Sequence, residues 1–95
     1  MTNGYKYYLE LNNEKLSEFN KFEEAKVCFD YIVKTFPNQK VENLEKDIEW
    51  VRLDITPVFV EENRGPRLIS GETDTQVFNK DLKQAIIKEI NNYVQ

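Results

Sequence analysis

Histidine is absent from this chain, and with it the side chain most often used as general base, metal ligand and sensor of physiological pH. A single cysteine, Cys28, excludes an internal disulfide and any zinc cluster built on cysteines. One thiol fits a reducing compartment. Only three glycines and three prolines punctuate the 95 residues, and no linker or low-complexity stretch interrupts them. No apolar run approaches the ~18 residues needed to span a bilayer. The start, Met1 to Lys6, has neither the charged head nor the apolar stretch of a signal peptide. A cytoplasmic location is the expectation.

What is present is enough for one hydrophobic core. Hydrophobic residues make up 40% of the chain, and residues 1–95 are expected to form a single domain. Charged residues reach 32%, above the roughly 25% usual for soluble domains, so the surface is densely ionised. The net charge of −4 is unevenly placed. Residues 1–40 are neutral, residues 63–95 carry +1, and residues 41–62 carry −5. That middle third sets Glu42, Glu45, Asp47, Glu49, Asp54, Glu61 and Glu62 against only Lys46 and Arg52. Such a balance is a poor footprint for a polyphosphate, because nucleic-acid affinity rests on neutralising phosphates.

Residues 5–11 alternate, with Tyr5, Tyr7, Leu9 and Leu11 on one side and Lys6, Tyr8 and Glu10 on the other, the pattern of a half-buried strand. Asn12-Asn13 supplies the positive φ of a tight hairpin, and Lys15 to Phe19 reads as the returning strand. A two-residue loop would pair Leu9 with Leu16; a three-residue loop would pair Tyr7 with Phe19. Phe22, Ala25, Cys28, Phe29, Ile32, Val33 and Phe36 recur at steps of three and four and predict a helix over 21–35. Asn20 with Glu23 suits its N-terminus and Pro37 ends it. After a polar loop over 38–47, residues 48–56 alternate again. Val51, Leu53 and Ile55 face one way, and Ile48, Trp50, Arg52 and Asp54 the other. Pro57 marks a bulge, an edge or a turn, Val58 to Val60 resumes extended character, and Asn63 to Pro66 is a turn before a short strand at 67–69.

The C-terminal stripe of Leu82, Ala85, Ile86, Ile90, Tyr93 and Val94 predicts a second helix. Thr73 with Gln76 offers one start for it. The alternative is a short strand over 75–78 with Asn79 as the cap. Phe78 extends the row Leu82, Ile86, Ile90 at steps of four, which favours the earlier start. The order β-β-α-β-β-α predicts an α+β two-layer sandwich, an antiparallel sheet of about four strands with both helices on one face.

On the sheet face away from the helices, Trp50, Arg52 and Asp54 stand beside Tyr8. Trp, Tyr and Arg are the types most enriched in binding hot spots. The competing reading makes them ordinary cross-strand pairs, or places Trp50 under loop 38–47. Arg64 and Arg67 flank Gly65-Pro66 at one loop tip, where guanidinium groups suit carboxylate or phosphate recognition. Cys28 lies on the apolar stripe, with no histidine to activate it. No calcium loop, glycine-rich phosphate loop or metal motif occurs. No enzyme activity, cofactor or metal is therefore expected.

The function these features point to is that of a protein-interaction domain of the inhibitor, immunity or phage anti-defence type. It would bind a protein partner, or a second copy of itself, through Tyr8, Trp50, Arg52, Asp54, Arg64, Arg67 and the acidic segment. The alternative is single-stranded nucleic-acid binding, with Tyr8 and Trp50 stacking on bases and the arginines meeting the backbone.

Overall fold

A computed structural model describes residues 4–60, 67–68 and 74–94. Strand β1 (Gly4–Leu11) and strand β2 (Glu14–Phe19) form a hairpin, followed by helix α1 (Phe22–Thr35). Strand β3 (Trp50–Val60) and two shorter strands, β4 (Arg67–Leu68) and β5 (Asp74–Asn79), complete the sheet, and helix α2 (Lys83–Tyr93) closes the fold. All strand pairings are antiparallel. The order runs β2-β1-β3, and β5 and β4 share the far edge of β3, so the sheet is four strands wide. Both helices cover one face. This is the predicted α+β two-layer sandwich.

The hairpin contains both anticipated registers in part. Asn12 and Asn13 have φ of 50° and 68°, the left-handed values a two-residue type I′ turn requires at both centres. Leu11 and Glu10 therefore pair with Glu14 and Lys15. A bulge then shifts the ladder, so Leu9 meets Ser17 rather than Leu16, and Tyr7 meets Phe19. The extra residue, Leu16, packs against the core.

The core lies between the helices and one face of the sheet. Leu9, Leu11, Leu53, Ile55, Phe78, Ala25, Cys28, Ile32, Ile86 and Ile90 are all at or below 1% exposed. Val51, Leu53 and Ile55 point into this layer as expected, and Val51 lies opposite Phe78. The helix α1 stripe packs as read, with Phe22, Val33 and Phe36 at its margins. Its N-terminus differs. Lys21 occupies the capping position with no side-chain bond, because Asn20 Oδ1 instead accepts from Lys6 Nζ at 2.8 Å.

Three further expectations are corrected. The earlier start of the second helix fails: residues 74–79 are strand β5, and Asn79 caps the turn that follows by accepting from the Asp81 N–H at 2.9 Å. On α2, Ala85, Tyr93 and Val94 are exposed, leaving Ile86 and Ile90 as the buried pair. Pro57 neither ends β3 nor places it on an edge; it pairs with Tyr7 inside the longest strand. The N–H and C=O of Arg52 face β1, so by antiparallel alternation the odd positions face β5 and β4. The missing N–H of Pro57 thus falls between Ile55, where β5 pairing stops, and Val58, where β4 pairing begins. No described residue of β4 or β5 pairs with Pro57 on that side. The predicted turn at 63–66 lies outside the described residues, and of the polar stretch over 71–75, which reads as a loop in the sequence, Asp74 and Thr75 belong to β5.

Phe78→Ala should lower stability by about 3–5 kcal/mol in urea denaturation, the range for an aromatic ring removed from a packed core. Val27→Ala, on the exposed side of α1, should change it by less than about 0.5 kcal/mol. Equal losses would contradict the packing described.

Candidate functional site

Trp50, Arg52 and Asp54 occupy successive positions on the face of β3 that points away from the helices, beside Asn79, Val77 and Thr75 of β5. The parity is as predicted; the openness is not. Asp54 is 1% exposed and Thr56 6%, and Val58 on the same face is also buried. A carboxylate can stay there only if its oxygens are satisfied. Asp54 Oδ2 accepts from Arg52 Nε at 2.9 Å and Oδ1 from the Thr75 hydroxyl at 2.9 Å. Its cross-strand neighbour Glu10 accepts from the Thr56 hydroxyl at 2.8 Å.

Arg52 is held at three points. Its guanidinium pairs with Asp54 and donates to Asn13 Oδ1 at 3.2 Å, and its backbone N–H donates to Asn12 Oδ1 at 2.9 Å. The hairpin turn is thereby tied to the centre of the sheet. The guanidinium acts as a strut between that turn and a buried carboxylate, and Asp54 itself lies beneath the surface rather than on it.

Tyr8 is half-buried, with Lys15 Nζ 4.7 Å from its ring centroid. Lys15 also pairs with Glu18 at 2.9 Å. That hydrogen bond raises the lysine above its usual range and lowers the glutamate below its own. Arg67 belongs to the two-residue strand opposite Phe59. Arg64 lies outside the described residues. The structure therefore gathers Trp50, Arg52, Asp54 and Tyr8 on one face but does not make them one open patch.

The open surface is the acidic loop beside Trp50. Gln39 and Val77 exchange two backbone hydrogen bonds, of 3.0 and 3.2 Å, so the loop departs from the outer edge of β5. A single 3-10 turn, Val41–Asn43, follows. The indole N–H of Trp50 donates to the Glu45 carbonyl at 3.2 Å, and the Lys80 N–H donates to the Glu49 carbonyl at 2.9 Å. Pinned at these points, the loop leaves Val41 at 46% and Leu44 at 39% exposure, with Glu42, Glu45, Asp47 and Glu49 around them. Below it, Asp47, Ile48, Glu49, Asn79, Lys80 and Asp81 line a hollow of about 310 Å³. It holds three carboxylates and one ammonium group, and that ammonium, on Lys80, is already paired with Glu49. Val41 and Leu44 are legible in the sequence as the only large apolar side chains of this loop, though not as exposed ones, and Asp81 is not, because only the strand assignment of 74–79 brings it alongside.

Cys28 is fully buried in the core, and burial raises its thiol from 9.0 to about 11. The protonated form is favoured in the fold, so this group's contribution to stability is complete below pH 9 and is lost as pH rises toward 11. Melting curves of the wild type and Cys28→Ala should therefore converge between about pH 9 and 11. Iodoacetamide should modify Cys28 only after unfolding. Rapid alkylation of the native protein at pH 8 would contradict this placement.

Comparison of the chain with protein-family models, curated proteins and solved structures finds no match.

Proposed function

We propose that this chain is a non-enzymatic protein-interaction domain whose docking surface is the acidic loop over residues 41–49, the hollow beneath it and the rim formed by Trp50. The observation that carries the reading is that one loop exposes two apolar side chains, Val41 and Leu44, together with four carboxylates, Glu42, Glu45, Asp47 and Glu49, against the lysines Lys40 and Lys46. Apolar groups within a charged rim are the usual anatomy of a protein-binding surface. The carboxylates select a partner whose facing surface is basic, by steering the encounter and by excluding acidic competitors. A compact acidic domain of this kind suits an inhibitor, immunity or phage anti-defence role, in which the partner's function is blocked by occupation of a basic site.

The geometry favours protein over single-stranded nucleic acid. Stacking needs free aromatic faces and free cations. Here Lys15 lies over the ring of Tyr8, and Arg52 is engaged by Asp54 and Asn13. The carboxylates beside Trp50 would repel phosphates.

The test uses Leu44→Asp combined with Glu45→Lys, both on the exposed loop. The wild type should capture one partner protein from its native host at constant stoichiometry. The double variant should lose that capture while keeping its circular dichroism spectrum and melting temperature. Undiminished capture by the variant would refute the surface. In parallel, a single-stranded oligonucleotide at low salt should leave Trp50 fluorescence unchanged. Quenching that fades as salt rises would transfer the assignment to nucleic acid.

A further inference from the structure

We draw no further inference here: the strongest candidate, the open groove between the end of β2, the first turns of α1 and the end of α2, with Val27, Tyr93 and Val94 exposed along it, carries nothing, because nothing in the structure shows what covers it.

Discussion

Strand β3 is paired along both edges, by β1 on one side and by β5 and then β4 on the other, and it is closed on both faces at its centre. An alternating strand in a two-layer fold normally has one wet side. Here the inward set, Val51, Leu53 and Ile55, is apolar, whereas Asp54 and Thr56 on the other side are polar and equally dry. Burial of a carboxylate without compensation is costly enough that its partners become structural requirements. The bonds from Arg52 and Thr75 to Asp54, and from Thr56 to Glu10, tie β1, β3 and β5 together on the side the helices do not reach. The two faces thus hold the same strands by different physics, apolar packing on one and directional hydrogen bonding on the other.

Much of this was legible in the residues. Periodicity found α1 because its stripe is long and uninterrupted, and alternation found the direction of Val51, Leu53 and Ile55 because one-sided burial leaves a period of two. The hairpin turn was legible in Asn12-Asn13. Its register was not, since a bulge at Leu16 depends on how that side chain reaches the core and leaves no local mark. The second helix was begun too early for an instructive reason. Phe78 falls in step with Leu82, Ile86 and Ile90, but a row at steps of four says nothing about the residues between, and β3 offered Val51 as the partner that made Phe78 a strand residue. Pro57 misled in the opposite sense. Its lost donor matters only on an edge that needs it, and no described residue of β4 or β5 pairs with it on the side to which that donor would point.

The candidate site was legible to a different degree. The types Trp50 and Arg52 and the excess of acid around them were visible from composition. What the sequence does not encode locally is commitment. A guanidinium two positions from a carboxylate on the same strand can serve a partner or a neighbour, and only the pairing of Asp54 with Thr75 and of Arg52 with Asn13 decides between them. The same holds for the indole, whose N–H engages the loop carbonyl of Glu45.

The pairing of β1 with β3, from Leu11 opposite Leu53 to Gly4 opposite Val60, has a consequence for assembly. The hairpin and α1 are local, and both can form as soon as their own residues are available. The inner edge of β1 must then wait for a strand that lies beyond α1 and the whole acidic loop, and closing that span costs chain entropy before any contact repays it. During the interval β1 is paired on the β2 side alone, and its other edge is an open ladder with Leu9 and Leu11 at alternate positions. The Asn12 side chain, which accepts from the Arg52 N–H, stands at the turn end of that ladder and fixes β3 there once it arrives.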